Sequence, residues 1–195
     1  MTRTFTVRGF YLSSARMPRV PGLGTSYLPL RELKKRAARI KLIVLDVDGV
    51  LTDGGMYFGL EGEVMKRFDT RDGQGIANAM RAGYQVAFLT RESTPFAKVR
   101  AEKLGLKHCI TGAKDKPMEL RTLVAALRLS KEQTLYMGDD TWDIPVIPHV
   151  GLFIMPSDRW LTKKDGIHAV TERGGGRGAV RQAINYVMGL RASAD

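Results

Sequence analysis

The chain has 195 residues, enough for one domain whose core needs no disulfide. It is 44% hydrophobic and 26% charged, an ordinary globular balance, and its one cysteine, Cys109, excludes a secreted disulfide scaffold and favours a reducing cytoplasm. No apolar run reaches the roughly 18 residues of a membrane span. Of the net charge of +11, residues 1–41 carry +9 and the rest only +2, so the basicity belongs to a leader and not to a stripe on the fold. Neither nucleic acid nor a membrane is therefore expected as a partner.

Residues 1–28 combine Pro18, Pro21, Gly22 and Gly24 with scattered Ser and Thr and no hydrophobic period. That predicts a flexible basic tail, with the folded domain over residues 29–195. Leu30 to Ile40 sets Leu30, Leu33, Ala37 and Ile40 near one face and predicts a short helix. Lys41 to Asp46 is a branched apolar run ending in an acid, the pattern of a buried parallel strand. Met56 to Phe58 and Val64 to Phe68 flank Leu60-Glu61-Gly62-Glu63 and read as a hairpin. A helix is predicted over Asp72 to Ala82, with Asp72 as N-cap and Gly83 as stop. Strand Tyr84 to Leu89, helix Thr94 to Leu104, strand His108 to Thr111 and helix Lys116 to Leu127 follow. Then come strand Thr134 to Met137, a short helix Asp143 to Pro148, strands Val150 to Met155 and His168 to Val170, and a closing helix Gly178 to Leu190.

Apolar strands alternating with helices predict an α/β fold: a doubly wound, Rossmann-like parallel sheet with helices on both faces and a β-hairpin inserted after the first buried strand. Ligands of such sheets lie beyond the carboxyl ends of the strands. Asp46, Thr90, Lys116 and Asp139 all fall in loops or helix starts at that edge.

The strongest chemical signal is Asp46-Val47-Asp48-Gly49-Val50-Leu51-Thr52-Asp53. Three aspartates crowd one loop after a buried strand, which is costly unless a cation compensates them. Hard carboxylate donors suit Mg²⁺, the ion that also accompanies phosphate. Asp46, at the strand end, is placed to attack phosphorus in line. Asp48, two residues on, is placed as acid toward a leaving group and then as base toward water. An EF-hand loop also begins Asp-x-Asp-Gly, but the terminal Glu at the required spacing is absent.

This octapeptide resembles the first motif of the haloacid dehalogenase superfamily of phosphohydrolases, which form an aspartyl-phosphate on the first Asp. The resemblance implies three further motifs in order. Thr90 matches the second-motif hydroxyl that holds the phosphoryl oxygens. Lys116 matches the third-motif lysine. Gly138-Asp139-Asp140-Thr141-Trp142-Asp143 matches the fourth, which implies metal carboxylates at Asp139 and Asp143, the latter also orienting Lys116, with the Asp48 carbonyl as a further ligand of Mg²⁺. Only 36 residues separate Asp53 from Thr90, and a hairpin, a helix and a strand consume them, so no cap domain is expected.

Residues 37–190 are similar to the capless 3-deoxy-D-manno-octulosonate 8-phosphate phosphatases and their nine-carbon relatives, the deaminoneuraminate and N-acylneuraminate 9-phosphate phosphatases. The carrying segments are Gly54 to Tyr57, Lys66 to Ile76, Gly112 to Lys116, Gly138 to Asp140 and Arg173 to Gly178. The resemblance implies a Mg²⁺-dependent phosphatase of a sugar-acid phosphate and a homotetramer packed through the hairpins. It implies substrate contacts at Asp72, Glu92, Arg100, Lys103, Arg173 and Gly175, with the glycine-rich tail of one chain closing over a neighbour's site. Glu92 follows the nine-carbon branch, whereas Arg91 replaces the glycine usual there, so the choice between eight and nine carbons stays open. Two other readings are a non-catalytic domain that kept the fold and a phosphatase of a different small ester.

Overall fold

The computed structural model describes residues 19–161 and 166–192. Its centre is an eight-stranded sheet. In chain order the strands are β1 (Arg19–Val20), β2 (Gly24–Ser26), β3 (Leu42–Leu45), β6 (Gln85–Leu89), β7 (His108–Ile110), β8 (Thr134–Met137), β9 (Leu152–Met155) and β10 (Ala169–Thr171). Two further strands, β4 (Tyr57–Gly59) and β5 (Gly62–Met65), form a separate antiparallel hairpin. The sheet order is β1-β2-β10-β9-β8-β3-β6-β7, parallel from β10 to β7.

The alternation of side chains along the strands makes two cores. Ile43, Leu45, Val86, Phe88, Leu135, Met137, Leu152 and Ile154 face one side. There they meet helices α1 (Leu30–Ala37), α2 (Thr70–Arg81), α3 (Pro95–Leu104) and α5 (Ala179–Ala192). Leu42, Val44, Ala87, Leu89, Tyr136, Phe153 and Met155 face the other side and pack against α4 (Lys116–Ala126). Strands covered on both faces must be apolar at every position, which is why they read as continuous runs.

The chain leaves β3 for β6 and β7 on one side and returns to β8 on the other. Beyond its carboxyl end, β3 therefore marks the switch point where such sheets open a crevice. No cap domain interrupts this path.

Three expectations change. Residues 19–28, assigned to the tail, supply β1 and β2: Gly24 to Ser26 pair antiparallel with β10. Pro21, Gly22 and Gly24 hide strands this short from any pattern, while residues 1–18 of the expected tail lie outside the described residues. The N-cap of α2 is Asp69, which accepts from the Arg71 amide at 2.7 Å. Asp72 lies inside the first turn. The short helix around Asp143 is a 3₁₀ helix, Thr141–His149, because Pro145 and Pro148 leave no α-type ladder to build.

Candidate active site

The loops after β3, β6 and β8 converge with the start of α4 on an open cleft of about 450 Å³. It is lined by Asp46, Asp48, Gly49, Thr90, Arg91, Glu92, Lys116, Asp139, Trp142 and Asp143, among others. At its floor Lys116 donates to Asp46 Oδ2 and to Asp143 Oδ1, each at 2.7 Å. All three side chains are buried. Asp46 sits directly beyond β3, tied to the sheet by its own amide on the Met137 carbonyl, while its Oδ1 accepts from the Val47 amide at 2.7 Å.

Asp143 accepts four hydrogen bonds. Lys116 and the Tyr136 hydroxyl donate to Oδ1, the latter at 2.7 Å, and the amides of Asp139 and Asp140 donate to Oδ2 at 3.1 and 3.3 Å. The side chain thus aims the Lys116 ammonium and fixes the turn that carries Asp139.

Carboxylate oxygens of Asp46, Asp139 and Asp143 come within 4.8 Å of one another. Burial and the like charges of Asp143 and Asp140 push Asp139 up to about 7. Burial, then Asp143, pushes Asp46 well up as well, with Lys116 opposing. Burial would lower Lys116, but Asp46 and Asp143 outweigh it and hold the ammonium above its ordinary range. Three carboxylates with one ammonium are short of positive charge, and hard oxygen donors at this spacing fit a divalent ion such as Mg²⁺.

The close approach depends on Gly49. Its φ is +76°, and a Cβ there would overlap the Asp139 carboxylate. Thr90 is buried beside the floor, its Oγ1 accepting from the Glu92 amide at 3.2 Å. Asp48 also lines the cleft: Lys66 donates to its Oδ1 at 2.5 Å, and Oδ2 is buried without a hydrogen-bond partner. Lys66, at the end of the hairpin, also lies 3.1 Å from Glu63.

The remaining expected site residues are not brought to the cleft of their own chain. Asp72 is enclosed away from the cleft: its oxygens accept from the Gly178 and Arg181 amides at 3.1 and 2.8 Å and cap α5. Arg100 reaches the Asp69 carbonyl at 3.4 Å and lies over the Phe68 ring. Lys103 is exposed on α3. Gly175 backs the catalytic loop from behind, where a Cβ would overlap the Gly49 carbonyl, and its amide donates to Asp158 at 2.9 Å. Arg173 is exposed beside Gly178. The glycine-rich segment is thus packed onto its own chain's loop.

Sequence reasoning gave no role to Lys66 or Tyr136 and missed the contact between Arg91 and Trp142, whose ring centroid is 3.6 Å from Cζ. Tyr136 did carry a signal, since a phenol within an apolar strand needs a partner for its hydroxyl.

No family model matches the chain. Among curated proteins it is 38% identical over 167 residues to the 3-deoxy-D-manno-octulosonate 8-phosphate phosphatase of Yersinia pestis, covering 85% of this chain and 89% of that one. The crystal structure described for the Yersinia pestis phosphatase superposes with a TM-score of 0.80 at 37% identity, covering 83% of this chain and 87% of that one. The phosphatase of Moraxella catarrhalis, solved with magnesium, phosphate and KDO, gives a TM-score of 0.80 at 30% identity over 85% of this chain and 95% of its own. With relatives this similar over nearly their whole length, and the acidic cluster beyond the central strand, the chain belongs to the haloacid dehalogenase superfamily, in its 3-deoxy-D-manno-octulosonate 8-phosphate phosphatase family.

Proposed function

We propose that the chain is a Mg²⁺-dependent phosphatase that removes the terminal phosphate of a 2-keto-3-deoxy sugar acid, with Asp46 as nucleophile and Asp48 as acid/base. The observation that carries this reading is Asp46 at the carboxyl end of the central strand, one oxygen on Lys116, with Asp139 beside it. The carboxylates of Asp46 and Asp139, with the Asp48 carbonyl, would hold Mg²⁺, which when bound neutralises the repulsion between phosphate and nucleophile.

The chain's own residues do the rest. Asp46 attacks phosphorus, the ester P–O bond breaks, and Asp48 gives its proton to the departing alkoxide. Water then attacks the aspartyl-phosphate, Asp48 takes its proton, and the bond to Asp46 breaks to release phosphate. The Thr90 hydroxyl and the Lys116 ammonium hold the phosphoryl oxygens as charge moves between them. Asp143 keeps the ammonium aimed throughout.

The names of the similar curated proteins support octulosonate 8-phosphate as the substrate. Phosphate release from it and from N-acylneuraminate 9-phosphate, side by side with Mg²⁺, tests this directly. A higher kcat/KM for the eight-carbon acid is expected. A preference for the nine-carbon acid would move the chain to the other branch, and turnover of neither, with an aryl phosphate hydrolysed, would remove the sugar-acid reading. Asp46→Asn should abolish all of these activities while leaving the thermal transition in place.

The hairpin supports assembly. Met56, Tyr57, Phe58, Leu60, Val64 and Met65 are all exposed on it, a concentration of apolar side chains that fits packing against further copies. We assign a homotetramer joined through β4 and β5, in which Arg100, Lys103 and Arg173 reach a substrate only across a protomer boundary. Among the described residues no helix is long and apolar enough to cross a membrane. The cytoplasm is the compartment this reading assigns.

A further inference from the structure

Strand β3, which delivers Asp46, lies between β6 and β8 in the sheet. Arg91 follows β6 and Trp142 follows β8. The Arg91 guanidinium lies over the Trp142 ring, with Cζ 3.6 Å from its centroid, and both side chains line the cleft. The pair therefore makes an arch across the mouth of the site, from one flanking loop to the other, where no cap domain is present.

The arch has a defined chemistry. A guanidinium laid flat on an aromatic ring is fixed in plane and keeps its N–H edge free, the geometry that takes a carboxylate through two parallel hydrogen bonds. Both side chains are exposed, and no carboxylate among the described residues forms an ion pair with Arg91. Of the acids that line the cleft with it, Asp46 and Asp143 bind Lys116, Asp139 faces the metal position, Asp140 caps its own turn, and Glu92 forms no ion pair with Arg91. A cation at the mouth that its own fold leaves unpaired is suited to an anionic group at the far end of the substrate from its phosphate.

We propose that Arg91, positioned by Trp142, reads the carboxylate of the sugar acid and sets the enzyme's preference for acidic over neutral phosphate esters. This rests on the sugar-acid reading above and adds the residue that selects for it. Arg91 is the specificity-determining contact. Trp142 is a positioning residue that acts through it.

The test compares kcat/KM for octulosonate 8-phosphate with that for its C1 carboxamide, which keeps the shape and loses the charge. Wild type should prefer the acid. Arg91→Gln should cut that preference by about tenfold to a hundredfold, the worth of a charge-assisted pair. Arg91→Lys, which keeps the charge but loses the planar fork, should fall between. Trp142→Ala should erode the preference in the same direction, and Trp142→Phe, which keeps a ring under the guanidinium, should restore it. Three results would overturn the inference. One is a wild type that treats acid and amide alike. Another is an Arg91→Gln variant whose preference is intact. The third is an equal loss on both substrates with weakened inhibition by inorganic phosphate, which would place Arg91 at the phosphoryl group instead. If wild type turns over neither substrate, the sugar-acid reading itself fails, and that outcome is distinct from all three.

Discussion

Lys116 carries the electrostatics of the floor almost alone. Its ammonium lies at 2.7 Å from both Asp46 and Asp143, with all three groups out of water. Lys116→Met leaves two buried carboxylates facing each other, a change that costs about 3–5 kcal/mol when one partner of a buried pair is removed. Its thermal transition should fall accordingly and recover in part with added Mg²⁺, while turnover drops by about a thousandfold or more. Gly49→Ala acts through space and not through charge. The added methyl overlaps the Asp139 carboxylate. The expected result is a higher Mg²⁺ concentration for half-maximal activity, read from a Mg²⁺ titration, with little change in secondary structure by circular dichroism.

His168 gives a pH signature remote from the chemistry. Its Nδ1 accepts from the Phe153 amide at 2.9 Å, and Arg36 lies 3.4 Å from Nε2. Burial, then the Arg36 charge, lowers its pKa from 6.5 to about 4. The folded chain thus binds this proton less readily than the unfolded one. The stability that the neutral ring contributes is complete above pH 6.5 and is lost as pH falls through about 4. The melting temperature of wild type should decline across that window. His168→Asn, which keeps an acceptor but cannot be protonated there, should flatten the decline.

At the level of elements, the sequence was most readable where burial is two-sided. Leu42 to Leu45, Val86 to Leu89 and Leu152 to Met155 are continuous apolar runs because helices cover both faces of the sheet, and such runs have few alternatives. Four positions that line the cleft were readable for a related reason. Asp46, Thr90, Lys116 and Asp139 stand where strands end or a helix begins, and polar groups there interrupt an otherwise apolar pattern. What stayed hidden depends on distant partners. Asp72 reads as a cap for its own helix, but its oxygens serve the amides of α5, a contact no local pattern contains. Strands β1 and β2 exist because β10 offers an edge to pair with, not because Gly24-Thr25-Ser26 favours a strand. The hairpin was readable as a hairpin, yet its exposed Phe58 and Leu60 became informative only once the fold showed them facing outward. On the proposed assembly, wild type should have the mass of a tetramer by light scattering, and Phe58→Glu combined with Leu60→Glu should reduce it to that of smaller species. An unchanged mass would remove the hairpin from the interface.

For the molecule as a whole, the leader and the body are not separable where the charge boundary suggested. Leu33 and Ala37 are fully buried, and β2 completes the sheet edge beside β10. Removal of residues 1–36, which takes away β1, β2 and most of α1, should therefore lower the melting temperature by many degrees more than removal of residues 1–18 does. Either result is read by calorimetry on the two shortened chains. Mg²⁺ links the same global transition to the site. An ion that binds only the folded chain adds about 2.7 kcal/mol at a hundred times its dissociation constant, so the melting temperature should climb with Mg²⁺.

The backing of the nucleophile loop by Gly175 and Gly176 sets a schedule for the chain as it is made. All four motifs have been synthesised once Asp143 has been added. The loop that carries Asp46 still lacks the wall against which Gly49 and Val50 rest, because the Gly176 amide bonds to the Val50 carbonyl at 3.0 Å. Strand β2, among the first elements made, likewise waits for β10 before it has an edge to join. Contacts this far apart in sequence form late and slowly. A nascent chain can hold every acid of the site and still lack a working one, and activity waits until α5 docks on Asp72 and draws the glycine turn against the loop.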